Sequence, residues 1–258
     1  MDSFGIKGIG ASLSSLRNLR DNLNDAADSI KRMGTGQRIN SAADDPAGLA
    51  VSERLRSQVL GLSRQAMNAM DQVSMVQVAD AGAGEIHSAL QNIEELSVQA
   101  ANGVYTADDR AAIQQQISAN VEHIQSVAAN TEFNTKPLLQ GSLGGDMSPA
   151  ALGISGLNVM TPGSAAESIS VAQEAIGTVS EFRSGLGAMQ NELTSSIRSL
   201  DVAVENTLAA ESRIRDLDYA QEVTNSARAN ILAQTNITAL AQANLASEAV
   251  LGLLTGNK

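Results

Sequence analysis

The chain has 258 residues, a net charge of −11 and no cysteine. This length suits one or two domains, and an apolar content of 43% can supply a core although only 2% of the residues are aromatic. The absence of cysteine excludes disulfides, thiol catalysis and zinc–thiolate sites. No apolar run reaches the roughly 18 residues that span a membrane, and the first residues lack the pattern of a cleaved secretory signal.

The charge is distributed unevenly along the chain. Residues 1–42 carry a net charge of +2, residues 219–258 are neutral, and residues 43–218 carry a net charge of −13. Nearly neutral ends suit burial between molecules, whereas an acidic middle part suits a hydrated outer surface. Because no basic patch is available to neutralise phosphates, we predict no nucleic-acid partner.

The first predicted element is an amphipathic helix over residues 13–36. Its apolar side chains recur in steps of three and four residues, which is the spacing of one helix face; they are Leu16, Leu19, Leu23, Ala26, Ile30 and Met33. Chain ends are normally polar and expendable, and this segment has no evident core of its own. The stripe therefore predicts a helix that associates with partner helices.

A long helix is predicted from Pro46 to about residue 101. Ser41 and Asp44 have the spacing of a capping box, and proline is favourable at a first helical position because its missing N–H would have no partner there. Apolar residues then form a seam in steps of four and three, and the helix would be roughly 80 Å long. We interpret the adjacent carboxylates Asp44 and Asp45 as capping residues rather than a catalytic pair.

A third helix is predicted over residues 106–129, after the turn signal Asn102-Gly103, with a cap formed by Thr106 to Asp109. Residues 134–163 contain three of the four prolines and six glycines, so we predict a hairpin region there. Within it, apolar residues alternate around Gly156, which is typical of a bulged β-strand. Some thirty residues are too few for a separate catalytic domain.

The carboxyl-terminal half is predicted to contain two more helices, over residues 170–215 and 219–254. Apolar residues recur at every seventh position of the first, which indicates a coiled coil. We expect it to pack antiparallel to the 46–101 helix, with the 106–129 helix on a third side, and we expect 219–254 to pair with 13–36. The predicted fold class is therefore mainly α: a long antiparallel coiled-coil rod with a small β-hairpin region and paired terminal helices.

Seven segments stand out as motifs: RINSAADDPAGLA (38–50), RLRSQ (54–58), ELSVQAANG (95–103), TEFN (131–134), AESRIRD (210–216), LAQAN (240–244) and VLGLL (250–254). Together they resemble the signature of bacterial flagellins. The resemblance covers about residues 38–140 and 180–254 in the family's order. The signature residues that we single out in the rod are Arg38, Asn40, Asp44, Asp45, Arg54, Arg213, Arg215 and Asp216.

The resemblance implies a structural subunit of the bacterial flagellar filament, without cofactor, metal or catalytic residues. Residues 1–42 and 219–258 would form the inner tube, and residues 43–218 the surrounding rod domain with its hairpin region at 134–163. The implied contacts between copies involve Leu16, Leu19, Leu23, Ile30, Leu232, Leu240, Leu245, Leu251 and Leu254. The implied partners are an export chaperone, the type III export apparatus, and the cap and hook-junction proteins. The implied location is extracellular, or periplasmic for an internal flagellum.

The stability of the terminal helices is consistent with the same role. An isolated terminal helix with one apolar stripe is marginal in water, because nucleation and chain ordering cost more than the stripe returns. We therefore expect residues 1–40 and 220–258 to become fully ordered only on assembly. A head-to-tail contact that does not close into a ring then generates an open helix.

Two other kinds of function compete with that of a filament subunit. A hook–filament junction protein of the flagellin lineage would share the terminal helices and the rod, while an enzyme or a signalling coiled coil would belong to another class. His87 and His123 lack metal-ligand spacing, so we expect ordinary helix positions for them. At the rod site that the vertebrate flagellin receptor reads in the family, Asn92 and Gln116 replace a usual basic residue and a usual glutamate, which puts that recognition in doubt.

Overall fold

The computed structural model describes the backbone of residues 2–254 and 256, and the side chains of residues 12–246, 248, 249 and 256. In this range the chain forms five long helices, one short 3-10 helix and two short strands. They are α1 Asp2–Thr35, α2 Pro46–Ala101, α3 Ala107–Asn130, β1 Glu132–Phe133, β2 Lys136–Pro137, the 3-10 helix Ile154–Gly156, α4 Pro162–Arg215 and α5 Tyr219–Leu254. The predicted mainly α fold is confirmed.

The chain divides into two compact units. The first comprises Met1–Leu60 and Glu205–Lys258, and the second comprises Gly61–Val204. In the first unit α1 and α5 pack against each other in opposite directions: an antiparallel bridge joins Gln37 to Asp216, and Arg32 faces Glu222. The predicted pairing of the two terminal helices is therefore confirmed.

The start of α2 is capped differently from our prediction. Asp45 is the residue before Pro46, and its Oδ1 accepts a hydrogen bond of 2.9 Å from the backbone N–H of Gly48. The predicted box of Ser41 and Asp44 does not cap this helix. Instead the Asp44 carboxylate closes the preceding turn on itself, because the turn places the Ser41 N–H and hydroxyl within reach of it.

The start of α3 agrees with the prediction. Thr106 is the N-cap and forms a capping box with Asp109. The Thr106 hydroxyl and backbone N–H donate to Asp109 Oδ2 at 2.7 and 3.0 Å, and the Asp109 N–H donates back to the Thr106 hydroxyl at 3.3 Å. These bonds fix the exit from the Asn102-Gly103 turn.

Replacing Asp109 by asparagine should remove an acid-sensitive part of the stability. The Thr106 hydroxyl, and then its N–H, lower the pKa of Asp109 below the ordinary value of 3.8. A carboxyl with a lowered pKa stabilises the folded state fully above its unfolded pKa, and that contribution is lost as the pH falls through the folded pKa. The free energy of unfolding in urea should therefore decrease less steeply below pH 3.8 in Asp109→Asn than in the wild type. Asp108→Asn is the charge-matched control, and equal acid slopes in all three proteins would contradict the prediction.

Helix α4 begins at Pro162, eight residues before the predicted start at 170. Thr161 precedes the proline, and its Oγ1 accepts a hydrogen bond of 3.1 Å from the Ser164 N–H, while the Thr161 N–H donates to the Ser164 hydroxyl at 3.1 Å. The predicted start is too late because Pro162 and Gly163 also suit a loop, and both fall within the predicted hairpin region. Proline at the first helical position and glycine in the first turn are compatible with such a cap.

The core of the second unit joins α2, α3 and α4. Asp80 pairs with Arg183 at 2.8 Å, and Glu94 accepts a bond of 2.8 Å from Gln173, so α2 and α4 run in opposite directions here. The large side chains that are almost fully buried come from all three helices and from the segment between α3 and α4; they include Ile86, Leu90, Ile93, Ile117, Ile124, Leu138, Leu139, Ile154 and Leu186. The predicted seams agree with this core over residues 76–93 of α2 and 172–186 of α4, whereas their outer parts lie outside it.

The segment between α3 and α4 contains a smaller sheet than predicted. β1 and β2 pair antiparallel through a two-residue turn, in which Asn134 and Thr135 have φ angles of 50° and 65°. The predicted bulged strand around Gly156 is wrong: residues 154–156 form a 3-10 helix. Ile154 and Val159 are still fully buried. The alternation of apolar residues therefore indicates which side chains are buried, but the backbone there is not a strand.

Candidate subunit interface

The contact between α1 and α5 is built from small side chains. Ala26 and Ser29 of α1 are each 5% exposed, and the buried positions of α5 include Ser226, Ala229 and Ala233. We call these five residues the small-residue seam. Small side chains allow two helices to approach closely, but they bury little apolar surface. The seam was missed in the sequence because it lies beside a more prominent stripe of leucine and isoleucine; the 3–4 spacing of the three α5 residues was the available signal.

The large apolar residues of α1 remain largely outside this contact. Leu16, Leu23 and Ile30, each seven residues apart, are 50%, 52% and 60% exposed, and Leu19 is half-buried. The stripe predicted as one face is thus divided: its alanine packs inside the pair, and its branched residues flank it. The first unit leaves these flanking side chains available for another partner.

Helix α5 has the same division. Ile231, Leu232, Ile237 and Leu245 are exposed by 63%, 43%, 53% and 61%, while Leu240 is half-buried. The predicted interface side chains of Leu251 and Leu254 lie outside the described residues. Leu13, Tyr219 and Val223 are exposed as well. We call the seven exposed leucine and isoleucine residues named above, Leu16, Leu23, Ile30, Ile231, Leu232, Ile237 and Leu245, the terminal apolar set. Single exposed apolar residues are ordinary in monomeric proteins. The seven-residue spacing of Leu16, Leu23 and Ile30, however, aligns three members of this set along one side of α1.

The segment after α1 is fastened to the end of α4 through Arg38. Its guanidinium donates to the Ile214 carbonyl at 2.6 Å, and its backbone N–H donates to the Arg215 carbonyl at 2.7 Å. The Leu217 N–H in turn donates to the carbonyl of Gly36, whose φ of 69° lets the chain turn out of α1. These bonds lie within the first unit and join the start of the 38–50 segment to the 210–216 segment of the flagellin-like signature.

Asn40, Asp44 and Asp45 organise the turn that follows. The Ser41 N–H, the Ser41 hydroxyl and the Asn40 N–H donate to Asp44 Oδ2 at 2.8, 3.0 and 3.1 Å. These bonds, above all the one from the Ser41 backbone, lower the pKa of Asp44. Asn40, Asp44 and Asp45 therefore fix the backbone of this turn through their hydrogen bonds.

The remaining signature residues divide into paired and exposed ones. Arg215 forms an ion pair of 2.9 Å with Glu53, and its side chain is only 14% exposed. The Asp216 carboxylate accepts from the Ser212 hydroxyl at 2.6 Å. Arg54 and Arg213 are exposed and form no ion pair with other described residues. The latter two are available for contacts beyond the chain.

In the second unit, Asn92 and Gln116 lie close together. Both line an open cavity of about 470 Å³ between α2 and α3, together with Glu95, Gln99 and Asn120. The two positions that the resemblance singled out thus belong to one surface, and both carry neutral amides.

Among the side chains that the structure describes, no three residues of the His, Cys, Asp and Glu types are grouped so that they could hold a metal ion. No described helix combines the length and apolar character needed to cross a bilayer.

Comparison with known proteins agrees with the geometry. The profile of the bacterial flagellin N-terminal helical region matches residues 6–143, and that of the C-terminal helical region matches residues 169–254. A flagellin of Halalkalibacterium halodurans is 39% identical, with 92% of this chain and 95% of the relative covered. Flagellin FlaB2 of Treponema pallidum is 38% identical over 87% and 91% of the two chains. A flagellin of Bacillus subtilis is 36% identical over 95% and 97%.

None of these three relatives bears the name of a junction protein. Both family profiles match in the expected order, and together they leave only short segments of the sequence unmatched. This chain therefore belongs to the bacterial flagellin family, whose members are the structural subunits of the flagellar filament.

Proposed function

We propose that the α1–α5 pair supplies the contacts by which copies of this flagellin assemble into a filament. The observation that carries the proposal is the terminal apolar set: branched side chains that are about half exposed or more and that flank a seam of alanine and serine. Burying apolar surface contributes about 25 cal/mol per Å². The exposed part of these side chains is thus available for neighbours.

The proposal assigns different roles to the two parts of the sequence. Residues 1–42 and 219–258 would form the inner tube, where nearly neutral helices can be buried. Residues 43–218, which carry most of the negative charge, would form the surrounding layer in contact with water. The terminal helices would become fully ordered only among neighbouring copies, because the small-residue seam alone contributes little to offset the entropy of ordering them.

We further propose the partners that this role requires. An export chaperone would cover the terminal apolar set before assembly, and the type III export apparatus would carry the subunit out of the cell. The filament cap would retain subunits at the growing end, and the hook-junction proteins would hold the other end. The filament would lie outside the cell, or in the periplasm if the flagellum is internal. This role is structural and requires no catalytic step.

Seeded polymerisation tests the proposal. Purified full-length protein is added to short fragments of its own filaments, and elongation is followed by electron microscopy. A filament subunit should extend the fragments into long tubes in proportion to the protein added. A junction protein should bind the ends without elongation, and that result, or an absence of binding, would contradict the proposed function.

A further inference from the structure

The turn between α2 and α3 contains the one Asn-Gly pair of the sequence, Asn102-Gly103. Asn102 and Gly103 are both exposed, and Val104 after them is 84% exposed. The assembly contacts proposed above involve the terminal helices and not this turn. The chemistry of the turn is therefore independent of the proposed function.

A hydrogen bond holds the Asn102 carboxamide against the peptide that follows it. The Val104 N–H donates to Asn102 Oδ1 at 3.2 Å, so the side chain is folded forward along the chain. This is an Asx turn, in which an asparagine side chain takes the place of a backbone carbonyl. The bond spans Gly103 and keeps the Asn102 Cγ on the side of the chain that leads to the Gly103 nitrogen. A carbon and a nitrogen that can close a five-membered ring are thus held in a favourable arrangement.

The Gly103 nitrogen is open to solvent and to reaction. Its N–H makes no hydrogen bond to another described residue. The neighbouring backbone is bonded instead: the Asn102 N–H donates to the Gln99 carbonyl at 3.2 Å, and the Tyr105 N–H donates to the Asn102 carbonyl at 3.4 Å. Glycine has no Cβ, so no side chain at Gly103 crowds the nitrogen. Its proton can therefore be removed by a base in the solvent without the loss of a hydrogen bond in the protein.

We propose that Asn102 is a site of spontaneous covalent modification, at which the chain cyclises onto itself and loses ammonia. Solvent base removes the proton of the Gly103 N–H, and the nitrogen attacks the Asn102 Cγ. As the N–Cγ bond forms, negative charge moves to Oδ1, to which the Val104 N–H already donates in the manner of an oxyanion-hole donor. The Cγ–Nδ2 bond then breaks, and Nδ2 takes up a proton and leaves as ammonia. Water opens the resulting succinimide at either of its carbonyls, which gives aspartate or isoaspartate at position 102.

Asn158 provides a comparison within the same chain. The Met160 N–H donates to Asn158 Oδ1 at 2.9 Å, so the same forward-folded side chain is present there. The nitrogen that would attack belongs to Val159, and its N–H donates to Gln114 Oε1 at 2.8 Å. Val159 is also fully buried and branched at Cβ, so its nitrogen is crowded as well as hydrogen-bonded. We therefore expect Asn102 to convert and Asn158 to persist.

Conversion changes both the charge and the backbone of the turn. Either product places a carboxylate just beyond the last turn of α2, and the helix dipole makes negative charge unfavourable at the C-terminal end of a helix. The isoaspartate product also inserts a methylene group into the backbone between α2 and α3. Because the ammonia is lost to the solvent, the converted fraction increases with the age of the subunit.

Mass spectrometry of the full-length protein tests the inference. The protein is kept folded at mildly alkaline pH and samples are digested at acidic pH at intervals. The peptides that contain Asn102 and Asn158 are then compared for the mass increase of amide-to-acid conversion, and labelling by an isoaspartyl methyltransferase identifies isoaspartate. The converted fraction at Asn102 should increase steadily with time, whereas that at Asn158 should stay at its starting value.

Gly103→Ala tests the role of the nitrogen, because it adds a carbon beside that atom and leaves the fold intact. A Cβ at this position meets no atom within 4 Å, and the φ of Gly103 is not positive. Conversion of Asn102 should be lost in Gly103→Ala. It should be unchanged in Gly177→Ala, the control at a glycine of α4 with equally open surroundings. The far-ultraviolet circular dichroism of both variants should match that of the wild type.

Three results would overturn the inference. They are equal conversion at Asn102 and Asn158, conversion of Gly103→Ala at the wild-type rate, and an intact Asn102 in the folded protein under conditions that convert it in urea. The last of these would show that the turn protects the residue. None of them concerns elongation from seeds, so a failure of this inference is distinguishable from a failure of the proposed function.

Discussion

Replacing Leu16, Leu23 and Ile30 together by glutamine should raise the concentration at which filaments form by about 100-fold, while the subunit remains folded. Each of these side chains is 50–60% exposed in the first unit. Burying a whole leucine or isoleucine contributes about 1.5–3 kcal/mol, so burying the exposed half of each contributes about 1 kcal/mol. Three such losses weaken each addition by about 3 kcal/mol, which corresponds to about two powers of ten in concentration.

The measurement is the protein concentration left in solution when polymerisation from seeds reaches equilibrium. The far-ultraviolet circular dichroism of the monomer is recorded in parallel, since glutamine preserves helix propensity. Asn18→Gln, Asp21→Asn and Asn24→Gln form a triple control on exposed polar positions of α1. A variant that polymerises at the wild-type concentration would remove α1 from the proposed interface.

Ile124→Ala should destabilise the subunit strongly. Ile124 is fully buried in the core of the second unit, where it packs with residues of α2 and α4. Removing its outer carbon atoms loses transfer free energy and leaves a cavity, which together cost about 2–5 kcal/mol.

Urea denaturation gives the free energy of unfolding for this comparison. Val98→Ala is the control, because Val98 is 55% exposed on α2 and exposed substitutions usually change stability by less than about 0.5 kcal/mol. Equal losses in both variants would show that the described core does not govern the stability of the folded chain.

The helices could be predicted closely because their ends carry strong local signals. Pro46 fixes the start of α2 and the Asn102-Gly103 turn fixes its end, so both predicted bounds agree with the structure. The capping box of Thr106 and Asp109 did the same for α3. Such signals act within a few residues, and no knowledge of the tertiary structure is needed to interpret them.

The start of α4 and the segment around Gly156 were predicted wrongly because the local sequence pattern at each is compatible with two backbone structures. Thr161 and Ser164 form a helix cap, but Pro162 and Gly163 between them also suit a loop. Apolar alternation around Gly156 is compatible with a strand, yet the same burial is obtained from turns and a 3-10 helix. In both places the tertiary packing selects between the two, and a sequence pattern does not contain that choice.

The candidate interface was predicted in part. The stripe of α1 was correctly assigned as helical and apolar, and its leucines and Ile30 are indeed exposed in the single chain. Whether they touch other copies stays a prediction. The sequence could not show that Ala26 would turn inward with Ser29, because helical spacing defines a broad face and leaves the partner's position on it open.

The seam of alanine and serine between the terminal helices has a consequence for the forces that hold a polymer of this chain. If the branched side chains outside the seam provide most of the cohesion, hydrocarbon hydration governs it more than charge attraction does. The hydrophobic contribution to cohesion weakens on cooling and is strengthened by sulfate, an anion that is excluded from protein surfaces. Mild warmth and ammonium sulfate should accordingly favour long polymers, whereas ice-cold buffer of low salt should favour dispersed subunits.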